Sequence, residues 1–125
     1  MVQFSTLTER AILKRLRLLE RCGYYCVICG FDFPNIACVT FEHLQPISKN
    51  GSVGMSNVGP SHYNCNEIRH DKGFDEAWDI INKLRLKLGP DDFWLWLGKK
   101  VPNRIVPVYA ILSPELLKEK FRDKL

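Results

Sequence analysis

The 125-residue sequence contains no low-complexity tract and no internal repeat, and no apolar run in it approaches the length of a membrane span. With 46% hydrophobic and 26% charged residues, the first absence excludes an intrinsically disordered chain, and the second excludes a membrane-spanning helix. Nothing near the N-terminus resembles a secretory segment, because Lys14, Arg15 and Arg17 interrupt the apolar residues there. The expected location is therefore the cytoplasm. A large charge of one sign is also lacking: 18 basic residues against 14 acidic leave a net +4. So mild a bias suits a polyanionic partner through counterion release, but it does not identify one. The length allows one domain with a modest core, residues 1–125, and is too short for two ordinary ones.

Cysteine is not scarce. Five in a chain of this length, in a compartment that keeps thiols reduced, argue for metal ligation plus one or two buried thiols rather than a disulfide framework. Cys26-Val27-Ile28-Cys29 and His62-Tyr63-Asn64-Cys65 form two pairs of soft or borderline ligands, each spaced so that a turn can aim both side chains at one ion. Four such donors satisfy a tetrahedral Zn²⁺ in a closed, structural site. In so small a core the binding energy of that site is folding energy. Cys22 and Cys38 are the alternative thiols. Cys38, within a β-branched stretch, reads as a small buried hydrophobe, and Cys22 has no assigned role.

Around these pairs the pattern predicts an N-terminal helix (residues 1–21), a core of residues 22–73 and a helical extension of residues 74–125. Thr6-Leu7-Thr8-Glu9 has the form of a capping box for a helix running to about Glu20, with Leu7, Ala11, Leu16 and Leu19 on its apolar side. Arg10, Lys14, Arg17 and Arg21 recur on the other side, as a solvated or phosphate-contacting face. Ile36 to His43 is β-branched and aromatic enough for a strand. Ser48 to Gly54 reads as a flexible connection, and a short helix is expected from about His62 to Asp71, ended by Gly73. Further helices are expected at Asp75–Leu88, at Asp91 to about Leu97, and from Ser113-Pro114 to the C-terminus. Arg104 to Leu112 is left as a short strand or an extended packing segment. Trp78, Trp94 and Trp96 are expected to pack on the core.

Between the two ligand pairs lies Phe41-Glu42-His43-Leu44-Gln45-Pro46-Ile47-Ser48, then Asn57, then Cys65-Asn66 with Arg69 and His70 behind. From Tyr25 to about Gly73 this order resembles the HNH endonuclease family. Members end the first strand with an acidic residue and a histidine, follow with a proline, a glycine-containing loop and a middle Asn, and place a final His or Asn on a helix. The resemblance implies an α+β fold, a ββα-metal core with structural zinc flanked by helices. It also implies hydrolysis of nucleic-acid phosphodiesters, double-stranded DNA above all.

Each position then has a chemical reason. An imidazole titrates near neutrality, so His43 suits the general base that takes a proton from water. Glu42 and Asn66 offer the oxygen donors that a catalytic Mg²⁺ or Mn²⁺ prefers, and such an ion relieves charge on the phosphate and the departing oxygen. The resemblance gives Asn57 the task of orienting the His43 region by hydrogen bonds. Adjacent strand residues face opposite ways, so Glu42 and His43 converge only if the strand twists or ends there, as Pro46 and the polar loop permit. Arg69 and Lys72 are expected on the nucleic-acid backbone, Arg69 by forking two phosphate oxygens. His70, four residues after Asn66 on one helix face, is placed first as a phosphate contact, ahead of a supporting group or an extra ligand. Glu42 stands where the family more often has Asp, and Arg69 where Lys is frequent. A compact chain of this kind resembles nucleases of phages and mobile introns, which implies homing or packaging in a host cytoplasm, as a monomer or homodimer. The competing classes are a zinc-knuckle module that binds nucleic acid without cutting it, and a phage assembly accessory.

Overall fold

The computed structural model describes residues 5–45, 54–102 and 104–125. Its strands are β1 (Ser5–Thr6), β2 (Val39–His43), β3 (Val58–His62) and β4 (Arg104–Ile105). Its helices are α1 (Glu9–Cys22), α2 (Tyr63–Arg69), α3 (Phe74–Leu88), α4 (Pro90–Leu97) and α5 (Pro114–Lys120). The central β2–β3–α2 run is the ββα unit, with helices on either side of it in sequence. The Ser48–Gly54 connection and Pro46 lie outside the described residues, Gly54 excepted.

Helix α1 forms because Ile12, Leu13, Leu16 and Leu19 bury one stripe, each worth roughly 1.5–3 kcal/mol when fully removed from water. Its N-cap is Thr8, whose hydroxyl accepts from Ala11 N–H at 3.2 Å. The predicted capping box on Thr6 does not form, because Thr6 is committed to β1, which pairs in parallel with β4; the cap falls two residues later, where Ala11 in the third helical position leaves a single capping bond rather than a box. Gly23 ends the helix at φ 101°, a conformation that costs a residue with a β-carbon, and its N–H donates to Leu19 O.

The strand expected from Ile36 to His43 is shorter. Asn35 accepts from Cys38 N–H and winds Ile36–Cys38 into a 3₁₀ turn before β2 begins. Its partner β3 pairs antiparallel, with His43 opposite Val58, Glu42 opposite Gly59 and Val39 opposite His62. The ββα resemblance implies a second strand, but the residues do not place it here, since Gly59-Pro60 is poor strand chemistry; it forms because β2 supplies its hydrogen bonds. Gly59 allows a close approach: a β-carbon there would lie 2.8 Å from Val27 Cγ1 and 3.1 Å from Leu44 Cδ2. The Cys26–Cys29 turn is docked on the hairpin at this point, with Val27 N–H donating to Pro60 O at 2.9 Å.

The helix predicted from His62 to Asp71 spans Tyr63 to Arg69, with His62 its N-cap at the end of β3 and His70 its C-cap at φ 44°. His70 therefore does not share a helix face with Asn66. Helices α3 and α4 follow their expected spans closely. Of the three tryptophans only Trp96 is half-buried. Trp78 and Trp94 remain 48% and 42% exposed, so the expectation that all three pack on the core is corrected: Ala77 and Ile81 take the inward positions of α3. Arg104 to Leu112 is the two-residue β4 followed by a 3₁₀ turn at Val108–Ile111. Ser113 caps α5 as expected, accepting from Leu116 N–H, but α5 stops at Lys120 rather than the C-terminus. One core runs through Leu7, Leu16, Ile28, Val39, Ile81, Leu97, Leu117 and Phe121. No helix among the described residues is long and apolar enough to cross a membrane.

Candidate metal centre and active site

Cys26, Cys29, His62 and Cys65 come together as the spacing predicts. Their ligand atoms all lie within 4.8 Å of one another and all four residues are buried. The turn before β2 supplies the first two, the end of β3 supplies His62, and the first turn of α2 supplies Cys65. The His62 ring is oriented by contacts that spacing could not show. Its Nε2 lies 2.7 Å from Asp32 O, and because a carbonyl only accepts, Nε2 carries the hydrogen and Nδ1 presents its lone pair to the sulfurs. Phe33 packs against the ring at 4.5 Å between centroids.

The donor set fits zinc. Nδ1 stands 3.4 Å from Cys29 Sγ and 3.7 Å from Cys65 Sγ. Tetrahedral zinc, with bonds of about 2.3 Å to sulfur and 2.0 Å to nitrogen, sets such N···S edges at roughly 3.5 Å. Ile28 N–H donates to Cys26 Sγ at 3.4 Å. Burial raises the Cys26 thiol, but hydrogen bonds from Cys29 and Cys65 outweigh it and hold Cys26 below the ordinary thiol range. Sharing hydrogen bonds with Cys26 pushes Cys29 and Cys65 above that range. A divalent cation held by these four residues would resolve this competition by favouring thiolate at every cysteine. Cys38 is outside the set: it is buried, its Sγ donates to Asn35 O, and burial raises it to about 12. Cys22 is exposed.

The predicted catalytic residues are distributed around the far end of the hairpin. The regular register to His43 puts Thr40 and Glu42 on one face of β2 and Phe41 and His43 on the other. Asn66 joins the first face, its Nδ2 3.4 Å from Thr40 Oγ1. Thr40 had no assigned role; the signal for it was its place two residues before Glu42. His43 is the last residue of β2 and is half-buried. Immediately beyond it, Asn57 grips the chain twice, accepting from Gln45 N–H and donating to Gln45 O, both at 2.8 Å, while Leu44 N–H donates to Asn57 O.

Arg69 does not extend into solvent. It is 2% exposed and donates to Glu42 Oε1 at 3.1 Å, His43 O at 2.6 Å, Leu44 O at 2.9 Å and Lys72 O at 3.1 Å. Its guanidinium also lies 3.7 Å from the Phe74 ring centre. The expectation of a phosphate fork at Arg69 is thus corrected: four of its five N–H groups are held by protein acceptors and the side chain is enclosed, so it cannot fork two phosphate oxygens. His70 is exposed beside Asp71, 3.4 Å away, and Lys72 is half-buried with its Nζ 3.3 Å from Ile68 O. Glu42 is buried, and its Oε2 has no hydrogen-bond partner among the described residues. Burial raises its carboxyl to about 7, although the Arg69 charge pulls the other way. A buried, unpartnered carboxylate oxygen is a donor of the kind a hard divalent ion takes.

Residues 26–72 match the model of the HNH endonuclease family, from Cys26 of the candidate metal cluster to Lys72. No curated protein and no solved structure matches the chain.

Proposed function

Because residues 26–72 are an HNH endonuclease family domain, we propose that the chain is a metal-dependent endonuclease that hydrolyses phosphodiester bonds in double-stranded DNA. Its compactness fits a nuclease of the phage or mobile-element kind, serving homing or packaging. The observation that carries this reading is the unpartnered Oε2 of Glu42, on the strand face that Asn66 touches and next in sequence to His43. Glu42 and Asn66 are the residues that would hold a catalytic Mg²⁺ or Mn²⁺, and the zinc among Cys26, Cys29, His62 and Cys65 is structural. When bound, the catalytic ion supplies charge relief to the scissile phosphate and the departing oxygen. His43 takes the proton from the attacking water. Asn57 fixes the backbone that leaves His43, so the imidazole starts each cycle in one place.

His43→Ala should abolish nicking of supercoiled plasmid in Mg²⁺ or Mn²⁺ while DNA affinity and melting temperature stay near wild type, because the base acts on water and not on docking. Cutting at the wild-type rate by that variant removes His43 from the mechanism. The buried Glu42–Arg69 pair favours a second reading, a zinc-knuckle module that binds DNA without cutting it, since it occupies one oxygen of the carboxylate. Persistent binding without nicking in either metal would select that module.

A further inference from the structure

With Arg69 enclosed, the phosphate contacts must come from other cations, and a row of them lies on α1, outside the family-matched segment. Arg10, Lys14, Arg17 and Arg21 are separated by four, three and four residues. At 3.6 residues per turn that spacing confines them to one stripe about 16 Å long. All four are exposed. The helix has five basic side chains against two acidic, hence a net +3 of the chain's +4. Both acids are engaged elsewhere: Glu9 pairs with Lys124, while Glu20 accepts from the Tyr24 hydroxyl at 2.6 Å with Lys118 3.9 Å away. None of the ion pairs among the described residues uses a cation of the stripe.

The stripe flanks the hairpin at its catalytic end. Lys14 Nζ lies 5.0 Å from the centre of the Phe41 ring, and Phe41 shares the pleat face of His43. Arg21 donates to Met55 O at 3.0 Å and Val58 O at 3.2 Å, and Val58 is the residue paired with His43. Lys14 and Arg21 therefore both touch the hairpin beside residues that neighbour His43, Lys14 at Phe41 and Arg21 at Val58, and both are exposed.

We propose that this stripe is the docking track for the sugar-phosphate backbone of duplex DNA, aligning the strand so that the phosphate to be cut lies at the His43 end of β2. Duplex DNA carries one charge per about 1.7 Å of axis, so a 16 Å row of cations meets several phosphates without distortion. The alignment rests on the nuclease reading above. The docking itself rests on charge and placement.

The test is fluorescence anisotropy of a labelled duplex with the zinc-loaded full chain, without added Mg²⁺, across a KCl series. The triple variant Arg10→Gln/Lys14→Gln/Arg17→Gln keeps Arg21, whose hydrogen bonds support the hairpin. Its slope of log K against log salt should fall by about 0.9 per lost contact, nearly three in all. A control with the same change in net charge, Lys83→Gln/Lys87→Gln/Lys100→Gln, should keep the wild-type slope. An unchanged slope in the α1 variant, or an equal fall in both, overturns the track. The two failures separate cleanly. A wild type that nicks plasmid while the α1 variant keeps its slope refutes the track and leaves the nuclease. An α1-dependent slope in a chain that never cuts refutes the nuclease and leaves the track.

Discussion

The Glu42 carboxylate meets Arg69 at 3.1 Å through one oxygen, while the other is buried without a partner among the described residues. Burial raises the group from 4.5 to about 7, so the fold favours its neutral form. The stability gained from that preference is complete below about pH 4.5 and is lost as pH rises through about 7. Glu42→Gln is uncharged throughout. Without added Mg²⁺, the variant's stability relative to wild type should therefore rise by about 2–3 kcal/mol between those limits, at about 1.4 kcal/mol per unit. A difference that stays flat with pH contradicts a buried charge at this site. Arg69 invites a complementary experiment. Arg69→Met leaves Glu42 buried and unpaired and should cost about 3–5 kcal/mol in denaturant unfolding at neutral pH. Adding Glu42→Gln should recover part of that loss, and strict additivity of the two changes would show that the residues do not interact in solution.

Among the elements, the metal turn and α2 depend on each other through His62 and Cys65. Cys26→Ser should release the metal and lower the melting temperature, since the cluster ties the turn, the hairpin and the helix at one point. Unchanged zinc content by absorption spectroscopy, with unchanged melting, would exclude Cys26 as a ligand. This cluster was legible in the sequence because ligand spacing within each pair is local: a turn fixes it whatever the remainder does. The helices α1, α3 and α4 were legible for the same reason, through apolar periodicity and Gly-Pro punctuation. Strand β3 was not, because Val58-Gly59-Pro60-Ser61-His62 owes its extension to partners nineteen or so positions away. The role of Arg69 was hidden likewise. An arginine one turn after Asn66 reads as a surface cation until β2 and the residue after it place Glu42 and the carbonyls of His43 and Leu44 around it, with Lys72 O closing the fourth side. Asp32 left no signal at all, since it acts through its backbone carbonyl.

For the molecule as a whole, the question is whether the C-terminal segment is an ornament on the ββα unit or part of its foundation. The visible polar links are weak evidence. Glu9–Lys124 and Glu20–Lys118 are exposed pairs, and such pairs contribute about 0–1 kcal/mol. The apolar contacts argue more strongly: Leu117 is fully buried and Phe121 nearly so, within the same core as Leu16, Val39 and Cys65. The parallel β1–β4 pair also fastens residues 5–6 to 104–105, and Leu7 N–H donates to Ile105 O at 2.8 Å. Removing one end should therefore loosen the other. Leu117→Ala should cost about 2–5 kcal/mol, and it should shift the unfolding followed by helix signal and the release of zinc together, in one transition. A variant in which α5 melts first while zinc is retained to the wild-type midpoint would show that the extension folds apart from the metal core.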